Sequence, residues 1–167
     1  MTLKGFKRRI AFLFVNKVFC GVKPRYYGIK RRLLCWAGID IGKGTKIVGP
    51  IIVYGDLTIG QNTWIGTGLT IHGNGTVIIG SNCDIAPDVT FLTGSHEFGD
   101  AARRAGEGVK FQLIVNDGTW IGARSTLVGN IEIGKSCVIG ACACVNKSFM
   151  GNVLIAGVPA KEIKRLG

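Results

Sequence analysis

An aliphatic residue returns at every sixth position along most of this chain. No other feature restricts the fold as much. The series opens at Ile41, Ile47, Val53, Ile59, Ile65 and Ile71. It resumes two residues late at Ile79, Ile85 and Phe91. After a gap it resumes again at Val115, Ile121, Leu127, Ile133, Ile139 and Val145. Fourteen of these fifteen residues are Ile, Val or Leu, too strict a register for a generic Ile/Gly-rich β domain. Glycine follows directly at Gly42, Gly60, Gly66, Gly80, Gly122, Gly134 and Gly140. Four residues on, the side chain is mostly small or aliphatic, as at Thr45, Leu57, Thr63, Val89, Ser125 and Ala143.

A period of six matches neither the 3.6 of a helix nor the alternation of a simple strand. It suits a chain that turns a corner every six residues. Three such faces close one triangular coil, and coils stack at the strand spacing of roughly 4.8 Å. The branched aliphatics point inward, one column per corner, and the glycines serve turns and close backbone approach. The expectation is an all-β fold, a parallel β-helix of about five coils. Periodicity alone does not give its hand.

The repeat is interrupted by residues 94–113, a polar stretch without the beat. A loop of this length leaving a solenoid is a common seat of function. The repeat domain is expected over residues 39–165, closing at Pro159 with a short basic C-terminal helix after it. Residues 1–38 form a separate basic and apolar segment, expected to be helical.

Charge separates the same two regions. Residues 1–46 hold twelve Lys and Arg against one acid, Asp40, whereas residues 47–167 hold nine basic and nine acidic residues. The whole net charge of +11 therefore lies at the N-terminal end. A grip on a long polyanion calls for charge spread over the fold, and no nucleic-acid-binding fold accompanies the basic and aromatic residues 21–38, so nucleic acid is not an expected partner. The apolar run Ile10–Val15 is too short to span a bilayer, and Cys20-Gly21 is a poor cleavage site for a secretory signal. A cytoplasmic protein is expected. The segment has two compatible roles: covering the open end of the coils, and lying on an anionic membrane surface through residues 1–20, which would make it peripheral at the cytoplasmic face. Six cysteines without CxxC spacing or nearby histidines read as free, buried thiols, with no metal site.

There are two histidines, His72 and His96. His96 opens the interrupting loop, where an imidazole can serve as a general base near neutral pH. Glu97 and Asp84 are the carboxylates available to orient it; stacking of coils is expected to bring Asp84 close.

These residues resemble a known family. The hexads, Thr93-Gly94-Ser95-His96-Glu97, Asp117-Gly118-Thr119-Trp120-Ile121-Gly122-Ala123 and Ala156-Gly157-Val158-Pro159-Ala160-Lys161 are together similar to the hexapeptide-repeat acyltransferases. The likeness is to their sugar O-acetyltransferase branch and covers about residues 41–165. The resemblance implies a left-handed β-helix, a homotrimer with active sites between subunits, acetyl-CoA as donor and a sugar hydroxyl as acceptor, in capsule, exopolysaccharide or lipopolysaccharide biosynthesis. It implies His96 as the catalytic base and direct transfer without an acyl-enzyme; beside it Glu97 is read as a catalytic residue and Asp84 as acceptor-binding. Trp120, Gly122, Ala123, Ala141, Asn146, Lys147, Lys161 and Lys164 match positions along the cofactor. Lysine is a weaker phosphate partner than the arginine often found at the last two.

Two other readings compete. The stretch Gly129-Asn130-Ile131-Glu132-Ile133-Gly134 also resembles serine acetyltransferases, although these carry Asp where Ser95 stands. A non-catalytic structural β-helix is the other. A zinc enzyme on this scaffold needs three histidines, one more than the chain has.

Overall fold

A computed structural model describes residues 3–167. The repeat forms a three-faced parallel solenoid. On the first face Ile41, Ile59, Ile79, Val115 and Ile133 stack in register. Ile47, Ile65, Ile85, Ile121 and Ile139 stack on the second. Val53, Ile71, Phe91, Leu127 and Val145 stack on the third. All fifteen are buried. Each contributes about 1.5–3 kcal/mol relative to exposure. The stack runs slightly beyond the beat: Phe149 bridges to Ile133 and Ile155 pairs with Ile139, adding a partial sixth coil to five full ones.

The corners explain the residues between the columns. Thr45, Thr63, Cys83, Thr119 and Cys137 fill the corner after the first face, and all are buried. The threonine hydroxyls are satisfied by the next coil: Thr45 donates to the Gly60 carbonyl at 2.6 Å, Thr63 to Gly80 at 2.9 Å and Thr119 to Gly134 at 3.1 Å. Only two of the six thiols expected to be buried are so. Cys83 and Cys137 occupy this corner, where burial pushes both thiols up. Cys142 sits at a left-handed turn (φ 61°) and is exposed, and Cys20, Cys35 and Cys144 are half-buried.

The interruption at residue 94 is a β-hairpin, not an irregular loop. Strand β1 (Gly94–Phe98) pairs antiparallel with β2 (Ala105–Lys110). The coil resumes within the expected loop, at Gln112–Val115, so that Leu113 is buried between Val77 and Ile131. The expected C-terminal helix is also a strand. Strand β3 (Val153–Gly157) turns at Val158-Pro159 into β4 (Ala160–Arg165), which pairs antiparallel with it. The helical propensity of Ala-Lys-Glu-Ile-Lys-Arg yields to the ladder of unpaired groups on the second face.

The N-terminal segment is helical, as expected. Helix α1 (Leu3–Leu13) continues through a π-helical turn, Phe14–Val18. Helix α2 (Pro24–Trp36) opens with proline in its first turn and ends where Gly38 (φ 83°) reverses the chain. Ala11, Val15 and Leu34 join the core. Carbonyls of the first coil that have no preceding coil to donate to them find partners in these helices. Arg8 donates to Val53 and Gly55, Arg31 to Ile41, and the Asn16 amide exchanges two bonds with Ile51. Lys30 is fully buried, donates to Val48 at 2.8 Å and Gly21 at 3.1 Å, and is pushed below the usual lysine range by burial. Part of the basic charge thus closes the open end of the solenoid.

Candidate active site

The hairpin leaves the solenoid at the corner between the third and first faces. Buried Thr93 clamps its base: the hydroxyl donates to the His72 carbonyl at 2.9 Å and accepts from Gly75 N–H at 3.1 Å. Phe111 N–H closes the other side on the Thr93 carbonyl at 2.8 Å. His96 therefore stands on a short, anchored ribbon. Its ring is exposed beside a cleft of about 380 Å³ lined by Asn74, Ser95, Gly108 and Lys110. Gly108 lies opposite His96, and a Cβ there would meet nothing within 4 Å. The imidazole is thus open to an incoming group.

Neither expected carboxylate reaches it within one chain. Glu97 follows His96 along the strand, and alternation turns it to the opposite side. Asp84 lies on the second face, in a different cleft. Stacking aligns Asp84 with Trp64 below and Trp120 above, not with the hairpin.

That second cleft, about 350 Å³, sets the carboxylate of Asp84 between the two indoles, with Ala86 and Pro87 at its edge. Trp64 is steadied edge-on by Tyr27 of helix α2, with ring centroids 5.7 Å apart. Trp120 is 55% exposed. From Trp120 the chain turns the corner to the third face through Gly122 and Ala123. Ala141 takes the equivalent place one coil on, where Cys142 N–H donates to the Ala123 carbonyl at 2.9 Å. A Cβ on Gly122 would stand 2.6 Å from the Ala141 nitrogen, so this glycine is demanded by the coil whatever passes outside it. Lys161 pairs with Ala156, and Lys164 with Leu154, on the hairpin that continues the second face. Trp120, Gly122, Ala123, Ala141, Lys161 and Lys164 therefore form one strip along the second face and its far corner. Asn146 and Lys147 do not join it. They are exposed at the corner between the third and first faces, with the Lys147 amine 5.4 Å from the Phe149 ring centroid. That is the corner from which the His96 hairpin also springs.

One chain thus holds two half-sites separated by the width of the third face. Among the described residues no group of three His, Cys, Asp or Glu side chains gathers to hold a metal ion. Three contributors escaped the sequence reading. Asn74 and Lys110 line one cleft only because the hairpin folds back beside the Gly73-Asn74-Gly75 bump. Trp64 carried a legible signal, since it precedes Ile65 as Trp120 precedes Ile121.

No protein-family model matches the chain. Galactoside O-acetyltransferase of Escherichia coli (strain K12) is 34% identical over 128 residues, which is 75% of this chain and 63% of that protein. The chain is similar to the hexapeptide-repeat acetyltransferases. Another of these is WcaF of Escherichia coli (strain K12), an acetyltransferase assigned to colanic acid biosynthesis. It is 29% identical over 134 residues, 79% of this chain and 72% of WcaF. A crystal structure of galactoside acetyltransferase in complex with coenzyme A superposes with a TM-score of 0.79 at 26% identity, covering 98% of this chain and 80% of that one. The solenoid is the left-handed β-helix of this hexapeptide-repeat family. The chain spans less than two-thirds of the length of the galactoside O-acetyltransferase it matches.

Proposed function

We propose that this chain is an acetyl-CoA-dependent O-acetyltransferase acting on a sugar hydroxyl in surface-polysaccharide assembly. The observation that carries the reading is the pair of half-sites: an exposed imidazole on an anchored hairpin, and a smooth strip ending in lysines on another face. Neither is complete alone. A homotrimer that sets the hairpin of one subunit against the strip of its neighbour joins them, and closed rotational symmetry repeats the junction three times.

In that arrangement neutral His96 takes the proton of the acceptor hydroxyl as its oxygen attacks the thioester carbonyl. The tetrahedral intermediate bears an oxyanion, for which a backbone N–H is the natural donor. Its collapse breaks the carbon–sulfur bond, and the imidazolium returns the proton to the departing thiolate. No bond to the protein forms. Ala123 and Ala141 leave room for the pantetheine arm, Trp120 lines it, and Lys161 and Lys164 meet the nucleotide phosphates. Asn146 and Lys147, at the hairpin's own corner, contact the arm from the other subunit. The cleft of Trp64, Asp84 and Trp120 suits a sugar, whose C–H face stacks on an indole while its hydroxyls donate to a carboxylate. Glycan assembly is supported by the likeness to WcaF.

Thiol release from acetyl-CoA, measured with a panel of sugars and with L-serine, tests the proposal. Sugar-dependent release is expected, and His96→Ala should lower it about 10²–10⁴-fold. L-Serine outpacing every sugar would establish the serine acetyltransferase reading instead. Absence of acetyl-CoA binding by calorimetry would leave a structural solenoid.

A further inference from the structure

Helix α1 is apolar on both sides. Its inner side, with Ala11 and Val15, packs on the first coil. Its outer side, which in a soluble protein is ordinarily polar, presents Leu3, Phe6 and Leu13, and Phe14 and Val18 follow in the π-turn. All five are exposed, and Leu3, Leu13 and Val18 are more than half exposed. Phe6 follows Leu3 by three residues, Leu13 follows Phe6 by seven and Val18 follows Phe14 by four, intervals of about one or two turns that keep them in a stripe on one side of the helix. Because the inner side bonds the free carbonyls of the first coil, the stripe faces away from the coils. Exposed basic residues border it: Arg9 and Lys17, with Lys23 and Arg25 beyond the turn.

We infer that this stripe docks the protein on a bilayer bearing anionic headgroups, with α1 lying in the membrane surface. Apolar side chains enter the acyl boundary while lysines and arginines meet the headgroups, the arrangement of interfacial helices. A second copy of the chain is the poorer occupant. The first 46 residues carry twelve bases and one acid, so joining two such faces sets like charge against like. An anionic surface neutralises that charge. Neither is the segment a membrane span, since no described helix is long and apolar enough to cross. The inference stands apart from the catalytic reading, but it bears on the acceptor. The hairpin springs from the third coil, two coil spacings or roughly 10 Å from the first. With one helix diameter of roughly 10 Å added, the site lies about 20 Å from the lipid. A sugar attached to a lipid carrier reaches that far.

The test is vesicle flotation of the full chain, with phosphatidylcholine alone or mixed with phosphatidylglycerol, at low and high salt. Wild type should float only with the anionic vesicles and be released by salt. Leu13→Ser with Phe14→Ser, and separately Arg9→Glu with Lys17→Glu, should each lower partitioning about tenfold or more, with unchanged thermal melting. Leu13, Arg9 and Lys17 are exposed; Phe14 also stacks on Phe19 with ring centroids 6.0 Å apart, so the melt of the Leu13/Phe14 variant is the check that its fold is kept. Wild type that fails to float with anionic vesicles at low salt overturns the inference, as does equal flotation of wild type and both variants. Light scattering covers the rival occupant: an assembly that shrinks in Leu13→Ser/Phe14→Ser, with no vesicle binding by wild type, makes the stripe a contact between copies.

Discussion

The hairpin that carries His96 and the strip that runs from Trp120 to Lys164 are built under opposite constraints. Along the strip from Trp120 to Ala141 the residues have counterparts one coil away, and the stack limits what each can be. Gly122 is glycine because the Ala141 backbone leaves no space for a Cβ. On the hairpin no coil lies above or below, and residues 95–98 are all exposed. Nothing in the packing requires a histidine at 96 or a glycine at 108. A small residue in the strip is thus weak evidence for a ligand, because the fold already demands it. A polar residue on the hairpin serves no core, which makes it stronger evidence for chemistry.

The largest expected effect separates the two directly. His96→Ala should lower kcat/KM about 10²–10⁴-fold and leave the melting temperature unchanged. Gly122→Val should do the reverse first, destabilising by about 1–3 kcal/mol through overpacking against the Ala141 backbone. Parallel thermal melts and thiol-release assays on the two variants give the answer. The contrast breaks if His96→Ala melts early, or if Gly122→Val keeps its melting temperature while losing acetyl-CoA.

A second experiment asks whether the two half-sites meet across chains. Ala141 is exposed, so Ala141→Trp should block the strip without disturbing the coil. His96→Ala and Ala141→Trp should each be nearly inactive alone. After unfolding and refolding together in equal amounts, about a quarter of the junctions in random trimers join two intact halves. Activity should recover to roughly that fraction of wild type. No recovery would mean that one chain supplies both halves, and the geometry of the hairpin would need another explanation.

The sequence was informative where the fold repeats itself and silent where it departs. The Ile and Val columns were legible because one register governs all three faces. The sixth coil was missed because Ile155 follows Ile139 by sixteen residues, out of step with the beat. The hairpin strands were invisible because neither of their faces is buried, so no alternation marks them. The terminal strand was mistaken for a helix because local propensity gives no account of the edge it must cover. His96 was legible as chemistry, being a histidine where the repeat fails. Its neighbours were not: Asp84 proved to belong to a column shared with two tryptophans, and Asn74 comes to line the same cleft as His96 only through the fold-back of the hairpin.

The smallest effect concerns the seam between these regions. Ser81 and Asp117 are distant in sequence because the hairpin lies between them, yet they stack in adjacent coils. The Asp117 carboxylate accepts from Ser81 N–H at 2.8 Å and lies 3.4 Å from the Lys135 amine of the following coil. The Ser81 N–H, and then Lys135, hold this carboxyl below the usual aspartate range. A depressed folded value means that the contribution to stability is complete above the ordinary aspartate value and fades as pH falls through the lower, folded one. Asp117→Asn keeps an oxygen for Ser81 but loses the charge, so only the charge-assisted part should disappear. Wild type should melt slightly above Asp117→Asn at pH 7, and the gap should close as the pH is lowered past the usual aspartate range. A gap that persists undiminished in acid would mean that Asp117 acts by shape alone. The corner after the first face would then be held, like the strip, by stacking and not by charge.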